Sequence, residues 1–237
     1  MSLPMLTVSG LNAFYGKAQM LFDVSLEVGA GEVVALMGRN GAGKSTTIKS
    51  IMGLISDKRG QVRFMDEDIG ALEPYQIARR GLGFVPEDRR VFSELSVLQN
   101  LEVGKQAPRN GVQPWTPQRL FKLFPNLGEM PHRPGGSMSG GEQQMLTVAR
   151  TLMGNPLLLM LDEPSEGVAP VIVEQIAHMI MTLKQQGLAI LLSEQNLHFA
   201  QLVCDRAYVL EQGQIRFSGS MQALAANDEI QQNYLSL

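Results

Sequence analysis

Hydrophobic and polar residues alternate along much of the first third of the chain, with the two-residue period that is typical of β-strands. The stretches LTVSGLNAFY, VSLEV and QVRFMDEDI show this pattern, and breaks that contain glycine separate them. They also contain β-branched residues, which favour extended backbone. We therefore predict that each of these stretches forms a strand.

The stretch EVVALMG, between VSLEV and QVRFMDEDI, has a different hydrophobic pattern, since all but its first and last residues are apolar. Such a run is typical of a strand that is buried on both faces. It leads directly into GRNGAGKST, and the overlapping stretch KSTTIKSIM predicts a short helix that ends with Gly53 at the C′ position. Further along, GLGFVPE predicts a strand that ends at Pro86.

Between about Glu94 and Gln144 the pattern becomes helical. SVLQNLEVG predicts one helix, APRNGVQPWTP is a connector rich in proline and glycine, and Thr116 followed by Pro117 predicts the start of a second helix at PQRLFKLF. We interpret this block as a helical insert without strands of its own, in which Trp115 is a packing anchor.

Beyond the insert, strands and helices alternate. LLLML, LAILLS and RAYVLEQGQIRFSG predict strands, and helical segments separate them. This alternation is typical of a mostly parallel sheet that is covered on both faces. The pattern therefore places the whole chain in the α/β class.

Composition restricts the classes of function. A chain of 237 residues is long enough for one large domain, and a net charge of −3 argues against a general nucleic-acid binder. The single cysteine, Cys204, cannot form an internal disulfide, which fits the reducing cytosol. The start MSLPMLTVSG lacks the features of a signal peptide, and no apolar run approaches the ~20 residues that span a bilayer. We expect any role at a membrane to come through a partner.

The glycine-rich loop after the apolar run predicts a phosphate site. Gly38, Gly43, Lys44 and Ser45 fit the pattern G-x-x-x-x-G-K-[ST] between a strand and a helix. Backbone N–H groups of such a loop bind phosphates, a lysine neutralises them, and the serine hydroxyl coordinates Mg²⁺. The alternative is a glycine-rich turn with a stray lysine. The predicted nucleotide-binding residues of the loop are Gly38, Arg39, Asn40, Gly41, Ala42, Gly43, Lys44, Ser45 and Thr46.

Two acidic residues follow the apolar run in LLLMLDEP. Carboxylates at the end of a buried strand are costly unless a metal ion or a reaction uses them. We predict that Asp162 holds Mg²⁺ and that Glu163 orients and deprotonates the attacking water. The alternative is that both acids only cap a turn. Together with the loop, this pair predicts a nucleoside triphosphatase.

A second pair of glycines stands in MSGGEQQ. Ser139 and Glu142 fit a capping box at the start of a helix. The stretch also resembles the LSGGQ signature of ATP-binding cassette (ABC) proteins, and with the two preceding motifs the resemblance covers essentially the whole chain. It implies a P-loop NTPase fold with a mostly parallel core sheet, an antiparallel β subdomain and a helical subdomain. It also implies a single domain over 1–237, with 1–87 and 155–237 in the ATPase core and about 88–154 in the helical subdomain that carries the signature.

The resemblance also implies a dimer, because ABC cassettes pack head to tail around ATP. Ser139, Gly140 and Gly141 would then bind the γ-phosphate of ATP held by the Lys44 loop of a partner cassette. Tyr15 matches the aromatic residue that stacks on adenine, and the alternative for it is a tyrosine of the core or of an edge strand. Glu87 stands where the family usually has a glutamine that contacts Mg²⁺, and the alternative for it is a solvated loop acid.

Two positions depart from the family pattern. Gln195 replaces the histidine that usually contacts the γ-phosphate, and a glutamine can donate a hydrogen bond there but carries no charge. We favour Gln195 as a neutral sensor over His198, which we expect on a helix surface. Ala169 replaces the usual aspartate of the loop that spans the dimer, which puts a carboxylate link across the dimer in doubt.

The stretches VPEDRRVF, MSGGEQQML, DEPSEGVAP and SEQN narrow the resemblance. They are similar to the shorter ATP-binding subunit of bacterial branched-chain amino-acid importers, and the related importers of urea and short amides are the alternative. The resemblance implies a second cassette of the same or another kind, integral-membrane permease chains, an indirect periplasmic binding protein, and a peripheral position on the cytoplasmic face of the inner membrane. Arg89 and Arg90 either dock the permease or form a solvated basic face.

Two other classes of protein remain as alternatives. One is a cytosolic cassette protein that acts on ribosomes or DNA, although such proteins usually carry two cassettes in one chain or a long insert. The other is a small-molecule kinase, which would need neither the signature helix nor a glutamate after Asp162.

Overall fold

The computed structural model describes residues 4–109, 111 and 113–235. The first three residues of the predicted start and positions 110 and 112 of the predicted connector lie outside the described residues. Within the described part, the strands are β1 Leu6–Tyr15, β2 Ala18–Val28, β3 Val33–Met37, β4 Lys58–Phe64, β5 Glu67–Asp68, β6 Leu82–Val85, β7 Leu158–Asp162, β8 Ala189–Glu194, β9 Arg206–Glu211 and β10 Gln214–Ser220.

Helices occupy much of the remaining chain. They are α1 Lys44–Ile51, α2 Pro74–Arg80, α3 Val97–Gly104, α4 Pro117–Leu123, α5 Pro125–Glu129, α6 Gly140–Leu152, α7 Pro170–Gln185, α8 Leu197–Val203, α9 Met221–Ala225 and α10 Asp228–Ile230. A 3₁₀ turn spans Gly135–Ser137, and a π-helical turn continues α10 over Gln231–Leu235. Among the described residues, no helix is both long enough and apolar enough to cross a membrane.

The larger of the two sheets in the described structure has the strand order β10-β9-β3-β8-β7-β6. Its inner pairs are parallel, and β10 runs antiparallel to β9 at one edge. The predicted mostly parallel sheet is therefore confirmed. Asp162 at the end of β7 is paired with Ser193 in β8, so residues that follow separate strands meet at one edge of the sheet.

Strand β3 shows why the EVVALMG run is apolar throughout. Val33, Ala35 and Met37 face a core formed with the helical side of the molecule, which includes α6, α7 and α8. Val34 and Leu36 face a second core, formed with α1 and the smaller sheet. All five side chains are buried because both faces of the strand are covered.

The smaller sheet is antiparallel, with the order β2-β1-β4-β5. This confirms the antiparallel part of the expected fold. The prediction of one strand over QVRFMDEDI was wrong in detail, because Met65 and Asp66 have positive φ angles of 49° and 67°. This turn separates β4 from the short β5.

The predicted helical block contains, within its described residues, no strand but one isolated bridge, between Ser96 and Pro134. Trp115 is buried, and the Arg119 guanidinium lies 3.7 Å from the centre of its ring. The indole is thus the packing anchor expected for the connector.

Helix α2, which lies before the helical block, was not predicted from the sequence.

Candidate functional site

The glycine-rich loop folds around the side chain of Lys44. Its ammonium is almost fully buried and donates hydrogen bonds to the carbonyl oxygens of Gly38, at 2.8 Å, and Arg39, at 3.1 Å. Gly38 has a φ angle of 151°, and a side chain there would collide with the carbonyl of Leu210. Gly43, with a φ angle of 109°, caps α1. These two positions require glycine, so the loop directs the lysine into a defined place at the start of α1.

Lys44 and Glu163 form an ion pair in the interior of the site. The lysine Nζ lies 2.9 Å from Glu163 Oε1, and the side chains are only 3% and 6% exposed. Glu163 has a φ angle of 46°, which is strained for a residue with a side chain. Its N–H donates to both the carbonyl oxygen and the hydroxyl of Ser193 at 3.1 Å. The neighbouring strand therefore holds the candidate base in this conformation.

Asp162 is fixed by two hydroxyl groups. Ser45 Oγ donates to Asp162 Oδ1 at 2.9 Å, and Ser193 Oγ donates to the same oxygen at 2.6 Å. Ser193 was not predicted as a site residue. It lies 31 positions from Asp162, and only the pairing of β7 with β8 brings the two together.

The residues present fit a magnesium ion. Among the described residues, no group of three or more His, Cys, Asp or Glu side chains could hold a metal. Magnesium, however, is usually bound through one or two carboxylates together with substrate phosphates. Ser45 and Asp162 offer a hydroxyl and a carboxylate oxygen 2.9 Å apart beside the lysine, which is the hard-oxygen chemistry that this ion prefers.

A pocket of about 300 Å³ opens over Lys44, Ser45 and Glu163, and Asp162 is buried outside its lining. Of the predicted site residues, Asn40, Gly41, Gly43, Lys44, Ser45, Thr46, Glu87 and Glu163 line it, together with Met20 and Glu166, which were not predicted. Gly38 and Arg39 do not line the pocket, but their carbonyl oxygens accept hydrogen bonds from the Lys44 ammonium and so position it. Ala42 is buried and donates its N–H to Arg39 at 3.1 Å, which closes the loop.

Tyr15 lies outside this lining. It is the last residue of β1, at the turn into β2, where it pairs with Ala18. Its side chain is 49% exposed, so it is not the core tyrosine of the alternative interpretation. The ring is accessible to a planar partner at the surface.

Gln195 contacts two acidic side chains. Its Nε2 donates to Glu163 Oε2 and to Glu166 Oε2, both at 3.3 Å. His198 is exposed on α8, as expected for a residue on a helix surface. The structure therefore places Gln195, and not His198, beside the candidate base.

The contact between Glu163 and Glu166 shifts the protonation of both side chains. The pKa of Glu166 is raised to about 7 by the hydrogen bond between Glu166 and Glu163 and, to a lesser extent, by the loss of solvation. Burial alone would raise the pKa of Glu163, but hydrogen bonds from Glu166 and Lys44 outweigh it, so this pKa lies below its ordinary value. The lysine thus keeps Glu163 ionised, while Glu166 can carry a proton near neutral pH.

Glu194 is a second buried acid that was not predicted. It is 1% exposed, and burial raises the pKa of its carboxyl group. Its two carboxylate oxygens accept hydrogen bonds, each of 3.2 Å, from the N–H groups of Ser165 and Asn196. Glu194 therefore ties the loop after Glu163 to the start of α8, on both sides of Gln195.

The second pair of glycines forms a capped helix start. Ser139 Oγ accepts from the Glu142 N–H at 3.3 Å, and Glu142 Oε2 accepts from the Ser139 N–H at 2.7 Å. The latter bond lowers the pKa of Glu142. Ser139 is exposed, while Gly140 and Gly141 are half-buried. Within the described chain, none of these three predicted residues lines the pocket around Lys44.

The two neighbouring arginines have different surroundings. The guanidinium of Arg89 lies against Gly140 at the start of α6. Arg90 pairs with Asp88 in solvent at 2.7 Å, and its carbonyl accepts from Arg150 at 2.7 Å. Arg89 is half-buried and Arg90 is exposed, so the guanidinium of Arg89 is only partly solvated.

Comparisons with known proteins agree with this geometry. A family model described as ABC transporter matches residues 21–166. The high-affinity branched-chain amino acid transport ATP-binding protein BraG of Pseudomonas aeruginosa is 42% identical over 231 residues, with 98% of this chain and 99% of BraG covered. The lipopolysaccharide export system ATP-binding protein LptB of Acidithiobacillus ferridurans is 34% identical, with 98% and 96% covered.

A solved structure shows the same overall fold. The crystal structure of the ADP conformation of MJ1267, an ATP-binding cassette of an ABC transporter, matches with a TM-score of 0.82 and 27% identity. The match covers 98% of each chain. The two sheets and the helical block of this chain therefore form the ATPase fold that the resemblance implies.

Proposed function

The chain belongs to the ABC transporter family and is an ATP-hydrolysing subunit of a transporter, and we propose that it powers the import of branched-chain amino acids through a separate permease. The observation that supports this substrate class is the 42% identity to BraG, which extends over nearly the full length of both chains. LptB, an export protein, is 34% identical, so lipopolysaccharide export is the second candidate. Urea and short amides remain the alternative solutes for an importer.

The site geometry supports ATP hydrolysis by a general-base mechanism. The loop over Lys44 binds the phosphate chain through backbone N–H groups and the ammonium. Lys44 keeps the Glu163 carboxylate ionised before the nucleotide binds, and Ser193 fixes its backbone. Glu163 then accepts a proton from the attacking water. Bound Mg²⁺ would supply charge neutralisation to the phosphates, with Ser45, Asp162 and Glu87 as the residues that hold it.

A second cassette completes the site in this proposal. Ser139, Gly140 and Gly141 contact the γ-phosphate of ATP bound in the Lys44 pocket of the partner. The exposure of Ser139 and the position of α6 away from the pocket of its own chain support this arrangement. A capped helix start directs free N–H groups outward, and these bind anions. Tyr15 stacks on the adenine of ATP in the pocket of its own chain.

The permease docks in a groove between the core sheet and the helical block. This groove has a volume of about 530 Å³, and Leu54, Tyr75, Phe92 and Val103 contribute exposed apolar side chains to it. Exposed apolar patches of this kind are typical of protein interfaces. Arg90 also lines the groove, next to the loop that contains Glu87. The chain is thereby held peripherally at the cytoplasmic face of the membrane, and a periplasmic binding protein acts only through the permease.

Uptake by membrane vesicles that contain the purified complex tests this function. The complex is captured with mild detergent through a tag on this chain, and its permease partners are identified by mass spectrometry. We expect ATP-driven uptake of labelled leucine, isoleucine and valine, and no uptake with Glu163→Gln in this chain. Uptake of urea without leucine would support the alternative importer, and capture of lipopolysaccharide-export components would support the second candidate.

A further inference from the structure

Both hydrogens of the Gln195 side-chain amide are donated in hydrogen bonds within the chain. One is donated to Glu163 and the other to Glu166, each at 3.3 Å. A glutamine amide has two donor hydrogens and one acceptor oxygen. With both hydrogens used, the group that remains for a new partner is the acceptor Oε1. This matters because a phosphate oxygen needs a donor, whereas a water molecule can donate to an acceptor.

We infer that Glu166 is a positioning residue that holds Gln195 with its amide oxygen toward the attacking water, so that Gln195 orients the nucleophile and does not bind the γ-phosphate. This differs from the sequence-based interpretation of Gln195 as a hydrogen-bond donor to phosphate. The inference rests on the proposed ATPase mechanism, in which Glu163 accepts the proton of that water.

The position of Glu166 allows this role. It follows Asp162 by four residues, in the loop after β7, and its side chain is exposed on the lining of the Lys44 pocket. Gln195 directly follows the neighbouring strand β8, and from there its amide reaches both the Glu163 and the Glu166 carboxylates. Glu194 fastens both ends of this arrangement through Ser165 and Asn196. The amide is thus fixed from two sides before any water arrives.

Charge around Glu166 gives the arrangement a dependence on pH. Glu163 lies against it, Glu87 adds negative charge from the loop after β6, and Lys44 adds an opposing positive charge from α1. The hydrogen bond to Glu163, the loss of solvation and the two negative charges outweigh Lys44 and raise the pKa of Glu166 to about 7. Below this pH, the protonated carboxyl engages Glu163 and makes it a weaker base. Above it, both carboxylates accept from Gln195 in charge-assisted bonds, which are stronger than neutral ones.

Steady-state ATP hydrolysis by the full-length chain tests the role of Glu166. We expect Glu166→Ala and Gln195→Ala each to lower kcat by about tenfold, with the KM for ATP within about twofold of the parent value. Because Glu166 acts through Gln195, the double variant should be no slower than Gln195→Ala alone. Glu129→Gln, at an exposed site on α5, is the matched control. A kcat of Glu166→Ala equal to that of the parent, or additive losses in the double variant, would overturn the inference.

A second measurement does not depend on hydrolysis. The side-chain amide resonance of Gln195, followed by NMR in the full-length chain, should titrate with a midpoint near pH 7 and lose this transition in Glu166→Gln. An amide signal that is insensitive to both pH and the substitution would contradict the inference even if ATP is hydrolysed. A parent chain that shows the transition but never hydrolyses ATP, alone or in its complex, would instead contradict the proposed function.

Discussion

Lys44 and Glu163 neutralise each other inside the phosphate pocket, with 2.9 Å between the ammonium nitrogen and the nearer carboxylate oxygen. The same lysine is the residue that we expect to bind phosphate. A phosphate chain in the loop therefore competes with Glu163 for the ammonium. When Lys44 turns toward phosphate, the carboxylate loses a partner that lowers its pKa and becomes a stronger base. The ion pair thus links nucleotide binding to the strength of the base.

Substitution of Glu163 by glutamine should separate ATP binding from hydrolysis. We expect ATP affinity no weaker than that of the parent, because the substitution removes the competitor for Lys44. Hydrolysis should fall at least about a hundredfold, the usual contribution of a general base. Equilibrium binding of a fluorescent ATP analogue and release of phosphate measure the two quantities.

Glu174→Gln, at an exposed position on α7, is the control for this comparison. Phosphate release by Glu163→Gln at the rate of the control would show that Glu163 is not the base. A large loss of ATP affinity would show that the ion pair supports the pocket and does not compete with phosphate.

Ser193 should be necessary for the stability of the site. Its hydroxyl donates to Asp162 and accepts from the N–H of Glu163, so in Ser193→Ala each of these two buried groups loses one of its two hydrogen bonds. We expect the free energy of unfolding to fall by about 2 kcal/mol, the usual range for a buried bond to a charged group. Denaturant titration of the full chain measures this change.

Ser50→Ala is a matched control for that experiment. Ser50 Oγ is buried and has no hydrogen-bond partner among the described residues. Loss of this hydroxyl should leave the free energy of unfolding unchanged or slightly higher. Equal destabilisation by the two substitutions would mean that the hydrogen bonds of Ser193 contribute nothing specific.

The ring of Tyr15 should contribute to nucleotide affinity and little to folding. Because the side chain is half exposed, Tyr15→Ala removes few core contacts. We expect ATP to bind about tenfold more weakly, the upper range for one aromatic stacking contact, while Tyr15→Phe retains the affinity. Equal affinities of the alanine and phenylalanine variants, measured by calorimetric titration, would exclude a stacking role.

A charge in the apolar groove should reduce permease binding. Leu54→Asp places a carboxylate among the exposed apolar residues that line the groove. We expect the amount of permease that co-purifies to fall at least about fivefold, since burial of an unpaired charge is costly. Met65→Asp, at an exposed apolar position outside the groove, is the control. Equal recovery of permease with both variants would place the docking surface elsewhere.

Much of the fold follows from local sequence patterns. The apolar run of β3, the glycine spacing and the start of α1 lie within about twenty consecutive residues, so their geometry is determined locally. Asp162 was recognisable because an acid directly after a buried strand is costly without a function. In each case a single stretch of the chain contained the necessary information.

Other parts of the site depend on contacts that no local pattern contains. Ser193 and Glu194 act at the site because β8 pairs with β7, and hydrophobic periodicity does not identify which strands are neighbours. Glu166 has the pattern of an ordinary loop acid, and only the folded structure brings it to Gln195. Helix α2 escaped prediction because it has seven residues and buries only Ile77, which leaves no apolar stripe to detect.

ATP turnover per chain, measured over a dilution series, tests most directly whether two chains share the nucleotide site. If the residues at Ser139 complete a site on another chain, turnover per chain should fall in proportion to concentration once the dimer dissociates. Ser139→Arg should still bind ATP as an isolated chain and remain inactive at every concentration. Turnover per chain that stays constant on dilution, or full activity of Ser139→Arg, would contradict a nucleotide site shared between two chains.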